Sequence, residues 1–350
     1  MSLFEIKPID EQIYQRELKR FLPDKLIDIH THVWLDSMIH HSEKEFARVV
    51  SWPSKVAKDN SMEDLAETYK LMFPDKKVTP LCFSFPSKEA DLKAENDYVS
   101  RTAKEYGYPA LCLSPPEWSA KELERQVSSG GFLGIKVYLN LSPDYIPAPE
   151  IRIFDFLPHH HLEVLDEHGW IVMLHIPRDG RLADPVNLHQ MMEIEKKYPR
   201  VKVIIAHVGR AYCPEDVGDA FTFLESSERM AFDFSANTNQ HVFEELIRCV
   251  GPKRVLFGSD LPILRMRMRR ICENGRYINI VPKGLYGDVS GDSHMREVEG
   301  EEAEKLTFFM YEELLAFKRA AENTGLSDSD LESVFYNNAA ELLKSAGFTV

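Results

Sequence analysis

The chain has 350 residues, 44% of them apolar and 28% charged, globular values that suit one large α/β domain or two ordinary ones. A formal charge of −14 argues against a nucleic-acid partner, which would favour a basic face. No apolar run reaches a membrane-spanning length, and the N-terminus lacks the basic-then-apolar pattern of a signal peptide. Five cysteines (Cys82, Cys112, Cys213, Cys249, Cys272) are scattered without C-x-x-C spacing. Cys82 and Cys112 fall in predicted strands as buried reduced thiols, so a cytoplasmic setting is expected.

An amphipathic helix over about 10–21 is ended by Pro23. The first strand, 25–30, runs into His30-Thr31-His32. The connection 33–59, with Trp34, His40, His41 and Trp52, lacks periodicity and is long enough to act as a lid. Ser61 then caps a helix to about Met72. Strands are predicted over 77–84, 109–113, 133–139, 170–175, 201–207, 230–235 and 254–260. The intervening helices are 88–106, 119–128, 158–168, 185–197, 216–226 and 241–250. After the eighth strand come an irregular Arg-, Gly- and Asp-rich segment, 261–302, and two helices, 301–323 and 327–345.

Eight near-continuous apolar strands, each followed by a helix at a step of roughly 30 residues, describe parallel strands buried on both faces. The expected fold is a (β/α)8 TIM barrel with extra N- and C-terminal helices, a single domain over 1–350 with its core at about 25–347. A doubly wound sheet is the rival. It would not readily gather residues from strands one, five, six and eight around one point.

Ligand-type residues end these strands: His30 and His32, Lys136, His175, His207 and Asp260. Catalytic groups of a barrel sit at this end. Side chains at i and i+2 of a strand share a side, so His30 and His32 can grip one ion. Converging histidines and an aspartate would be costly to bury unpaired, and a divalent metal is the economical partner. Such an ion acidifies its bound water; Asp260 would accept the proton, and His207 would polarise a carbonyl or carry a proton. Arg178, Arg181 and Arg210 follow strands five and six and could clamp a carboxylate or phosphate of the substrate. Tyr138 and Trp34 could line its pocket. The Arg265–Arg270 cluster just after the Asp260 strand could recognise an anion, but reads more readily as a solvated helix face.

His30-x-His32, Gly134-Ile135-Lys136, His175, Ala206-His207, Phe257-Gly258-Ser259-Asp260 and Asn338-Ala339-Ala340-Glu341-Leu342-Leu343 together resemble the amidohydrolase superfamily. The closest likeness is to its amidohydrolase-related branch of hydrolases and nonoxidative decarboxylases. The resemblance implies metal ligation by His30, His32, His175 and Asp260, with His207 as an active-site histidine. It sets one ion ahead of two; a binuclear site would add His207 and a carboxylated Lys136. Zinc is the first expectation, with Mn, Fe and Ni also suited to these donors. The implied activity is metal-dependent hydrolysis of an amide, ester or lactone-like bond in a small, anionic substrate. Metal-dependent decarboxylation is the alternative, and a non-catalytic binding barrel is a third reading that predicts no tightly bound metal. Neither a membrane nor a nucleic acid is expected as partner, and self-association is left open.

Overall fold

The computed structural model describes residues 2–39 and 56–349; His40, His41, Trp52 and most of the predicted lid lie outside the described residues. Parallel strands β1 (Lys25–His32), β2 (Lys77–Phe83), β3 (Cys112–Leu113), β4 (Gly134–Val137), β5 (Ile171–Leu174), β6 (Lys202–Ile205), β7 (Ala231–Asp233) and β8 (Val255–Leu256) follow one another in spatial order. A bridge between Cys82 and Ala110 joins β2 to β3. The ring closes where Ile29 N–H donates to Phe257 O (3.0 Å) and Asp260 N–H to His30 O (2.7 Å). The fold is therefore the expected barrel.

Alternation along the strands divides the core. Ile27, Ile29, Leu81, Phe83, Leu133, Ile171, Met173, Ile204, Ala231 and Leu256 fill the barrel, with Ala339 and Leu343 of the last helix below them. A second, larger cluster lies between strands and helices, and includes Leu26, Val172, Leu174, Phe234 and Phe257. Asn338 of the closing motif donates to the carbonyls of Pro252 (2.8 Å) and Val255 (2.9 Å), which pins the last helix beneath β8.

Helix ends follow side-chain chemistry. Ser61 caps Met62–Met72, Ser119 caps Ala120–Gly130 and Asp184 caps Pro185–Lys197, each accepting from a first-turn N–H. The predicted helix over 301–323 is broken into Glu301–Glu304 and Phe309–Thr324. Buried Thr307 lies in the gap, donating to Asp10 (2.7 Å), which also pairs with Arg267. These contacts fasten the N-terminal helix, Pro8–Ile13, to the barrel.

Segment 261–302 departs most from expectation. It forms a three-stranded sheet: β9 (Arg269–Glu273) and β10 (Arg276–Pro282) are an antiparallel hairpin, and β11 (Met295–Val298) pairs parallel to β10. Asn274 and Gly275, both at positive φ, make the two-residue turn. Arg265, Arg267 and Arg270 are buried, so the arginine cluster is not a solvated helix face. The cysteine expectation is also corrected. Cys82 and Cys112 are buried free thiols, but Cys213 and Cys272 form a disulfide (Cα–Cα 5.8 Å), so cysteine usage no longer argues for a reducing compartment. Among the described residues no helix is long and apolar enough to cross a membrane.

Candidate active site

The strand ends open into a recess lined by His30, His32, Trp34, Phe85, Lys136, Tyr138, Asn140, His175, Tyr212, Ala236, Asp260, Arg270 and Tyr277, with His207 beside them. Counted out to the open solvent at its mouth, it holds about 790 Å³ of empty space.

Backbone irregularities aim the histidines. Ile27 and Ile29 face the barrel interior, so strict alternation would turn His30 outward. The pairing of β1 with β2 slips between Asp28 and Thr31, and past that irregularity both His30 and His32 face the mouth. His207 (φ 57°) and Asp260 (φ 55°) are in the left-handed region, at a cost of roughly 1–3 kcal/mol each for side chains of this kind. Hydrogen bonds hold both: His207 N–H donates to Asp233 Oδ1 (2.9 Å) and Asp260 N–H to His30 O. Gly258, two residues past β8, keeps this approach open, because a Cβ there would stand a tight 3.0 Å from His30 Cβ.

Neighbouring rings step around the mouth. Centroids are 5.5 Å apart for His30 and His32, 4.8 Å for His30 and His207, and 5.2 Å for His207 and His175. His30, His207 and Asp260 each offer a ligand atom within 4.8 Å of the other two. The Nδ1 atoms of His30, His32 and His207 are committed elsewhere. His32 Nδ1 lies 3.0 Å from Ser84 O, and His207 Nδ1 lies 3.1 Å from Ser235 O. A carbonyl only accepts, so both Nδ1 atoms carry the proton and both Nε2 atoms present a lone pair. His30 Nδ1 likewise donates to Asp233 Oδ2 (2.9 Å).

That leaves lone pairs facing an acceptor. Asp260 Oδ1 stands 3.2 Å from His32 Nε2 and 3.5 Å from His30 Nε2. Burial, and then the charge of Lys136, holds His30 well below the usual histidine range; burial does the same for His175 and lowers His207. Neutral imidazole is the ligand form. Burial would raise the Asp260 carboxyl, but His32 and the other histidines around it hold it below the usual carboxylate range. Buried His175 Nδ1 has no hydrogen-bond partner. Converging lone pairs and an anion fit a divalent cation, with the Lys136 amine as the neighbouring donor to His30. Lys136 Nζ sits 3.1 Å from His30 Nε2, and burial pushes its pKa down to about 8.

Other expected residues divide. Trp34 and Tyr138 line the recess, Trp34 against Phe85 (5.1 Å) and Tyr138 against His175 (4.4 Å). Arg178 and Arg210 do not: Arg178 is paired with Asp184 (3.0 Å), and Arg210 donates to the carbonyls of residues 176–178. Asp233 and Tyr277 were not anticipated, and Arg270 belongs to the cluster whose alternative reading was anion recognition. Asp233 orients His30, while Arg270 and Tyr277 reach the recess from the β9–β10 hairpin. An acid interrupting the apolar run Met230-Ala231-Phe232-Asp233-Phe234, and Asn274-Gly275 as a hairpin signal, were the available signs.

Comparisons with known proteins agree with this fold. A solved structure of a probable 2-pyrone-4,6-dicarboxylic acid hydrolase from Acinetobacter baumannii, with citric acid bound, superposes with a TM-score of 0.56 at 14% identity, covering 91% of this chain and 99% of that one. A 2,6-dihydroxybenzoate decarboxylase complexed with 2,6-dihydroxybenzoate gives 0.56 at 14% identity, over 92% and 100%. A dihydroxybenzoic acid decarboxylase from Polaromonas sp. JS666, with bound manganese and 2-nitroresorcinol, gives 0.51 at 15% identity, over 92% and 97%. At such identities the likeness is one of fold. No curated protein matched the sequence. The amidohydrolase family model matches residues 27–344, a span that holds every strand-end residue described above, and the chain belongs to the amidohydrolase family of enzymes.

Proposed function

We propose that the protein is a metal-dependent hydrolase acting on an amide, ester or lactone-like bond of a small, carboxylate-bearing molecule. The observation that carries this reading is the convergence of unprotonated His30 and His32 Nε2 atoms on the Asp260 carboxylate. His30, His32, His175 and Asp260 would hold one divalent ion, zinc before Mn, Fe or Ni; a second ion would draw on Lys136 and His207. Bound there, the ion supplies Lewis acidity towards water and a substrate carbonyl.

The chain's own groups do the rest. Asp260, ionised and 17% exposed at its side chain, accepts a proton at its carboxylate from water entering the mouth. His207, its Nδ1–H held by Ser235, offers Nε2 to receive or return a proton on the leaving group. Trp34 and Phe85 form an apolar wall that orients a flat substrate and excludes water.

A second reading, nonoxidative decarboxylation, uses the same side chains. The aromatic lining of Tyr138, Tyr212 and Tyr277 favours it, because it suits a flat unsaturated acid. Protein reconstituted with zinc or manganese, assayed on lactones, esters and amides for acid production and on aromatic acids for carbon dioxide release, separates the two. Asp260→Asn should keep some metal and lose about 10²–10⁴ of turnover. Unchanged turnover removes Asp260 from the mechanism, and a wild-type protein that binds no metal removes the enzyme reading altogether.

A further inference from the structure

The arginines around the mouth differ in how their charge is met. Arg178 pairs with Asp184, Arg181 with Asp216 and Arg267 with Asp10. Arg270 is buried like Arg267, at 9% exposure, and lines the recess, yet no carboxylate among the described residues pairs with it. Its Nε donates to Asn279 Oδ1 (2.8 Å) and its Nη1 to Ala236 O, both neutral acceptors. Its guanidinium carbon stands 4.8 Å from the ring centroid of Tyr212, 4.6 Å from that of Tyr277 and 4.5 Å from that of Phe309. Ring faces offset part of the lost hydration. They do not supply a counter-charge, and an unpaired buried cation is costly.

The arginine is also fixed in place. Asn279 faces it across the hairpin register, and the Cys213–Cys272 disulfide ties that hairpin to the segment bearing Tyr212. Tyr212 and Tyr277 meet edge to face at 5.1 Å, and both line the recess. A planar, pre-oriented guanidinium between aromatic walls matches a carboxylate better than a mobile lysine would.

We propose that Arg270 is the anion anchor of the recess, binding the carboxylate of a small flat substrate whose ring packs among Tyr138, Tyr212 and Tyr277. This rests on the recess being the active site, and is indifferent to which bond is broken there. The missing counter-charge arrives with the substrate, so neutral analogues are disfavoured by leaving Arg270 unpaired.

Equilibrium binding tests this without turnover. Benzoate, salicylate and 2,6-dihydroxybenzoate are titrated calorimetrically into the metal-loaded full chain, each against its neutral amide. The wild type should prefer at least one acid over its amide by tenfold or more. Arg270→Gln should abolish that preference while metal content and melting temperature stay near wild type, Arg270→Lys should keep part of it, and Arg178→Gln should keep it whole. A wild type without preference overturns the proposal, as does an Arg270→Gln protein, folded and metal-loaded, that retains the preference. If the preference holds and depends on Arg270 but no hydrolysis is found, the hydrolase reading fails and this one stands. Hydrolysis of neutral substrates with no dependence on Arg270 gives the reverse.

Discussion

Asp233→Asn should cripple metal binding although Asp233 is not among the proposed ligands. The wild-type carboxylate divides its work between two oxygens. Oδ2 accepts from His30 Nδ1 (2.9 Å), and Oδ1 accepts from the backbone N–H of His207 (2.9 Å) and of Ser235 (3.1 Å) and from Ser235 Oγ. An asparagine must keep its one oxygen where three donors converge. Its NH₂ group then meets His30 Nδ1, donor against donor. The ring escapes by moving its proton to Nε2, the atom that faces Asp260, and in that tautomer Nε2 cannot ligate. Losing a charge-assisted hydrogen bond corresponds to about 1.5–3 kcal/mol, or about 10- to 100-fold in metal affinity. Competition with graded chelator, read by metal analysis, measures the affinity; melting of the metal-free proteins separates it from a folding defect. A folded Asp233→Asn protein that binds metal within about twofold of wild type would refute the tautomer argument.

Other perturbations address different parts of the site. Lys136 is pushed from 10.5 to about 8, mainly by burial, so between those pH values the unfolded chain binds more protons and wild-type stability rises with pH. Metal-free Lys136→Met should therefore have its greatest advantage below pH 8 and lose about 3 kcal/mol of it towards pH 10.5; a pH-independent gap in urea unfolding would contradict the burial argument. Gly258→Ala places a methyl 3.0 Å from His30 Cβ and 3.4 Å from Asp233 and Ser235 Cβ. It should destabilise by about 1–3 kcal/mol and weaken metal binding, and unchanged melting and affinity would show that the site yields more easily than its packing implies. Cys272→Ser removes a cross-link over a sequence separation of 59 and should lower unfolding free energy by about 4 kcal/mol on chain-entropy grounds. Identical melting with and without a dithiol reductant would argue that the bond is absent or immaterial.

Strands and caps were legible because their causes are local. The near-continuous apolar runs before His30, His175 and His207 specify buried parallel strands, and Ser61, Ser119 and Asp184 each satisfy an orphan N–H of the helix that follows. Pro185–Lys197 was expected with those bounds, since Pro opens it and Lys196 and Lys197 suit its last turn. Arg265–Arg270 was misread because arginine exposure is a statistical habit. Here Asp10, Asn60 and three aromatic rings, all distant in sequence except for Tyr277, make burial tolerable.

The sequence by itself determined the βα period, the closed barrel and the strand ends at which His30, His32, His175, His207 and Asp260 stand. Hydrophobic periodicity and capping act over a few residues and can be read in order. Tertiary structure alone decided which nitrogen each histidine presents, that Arg270 rather than Arg178 or Arg210 reaches the recess, and that Cys213 meets Cys272. Those outcomes depend on partners such as Ser84, Asp184 and Asp233, brought together only when the ring closes, and no local pattern encodes a contact across a barrel.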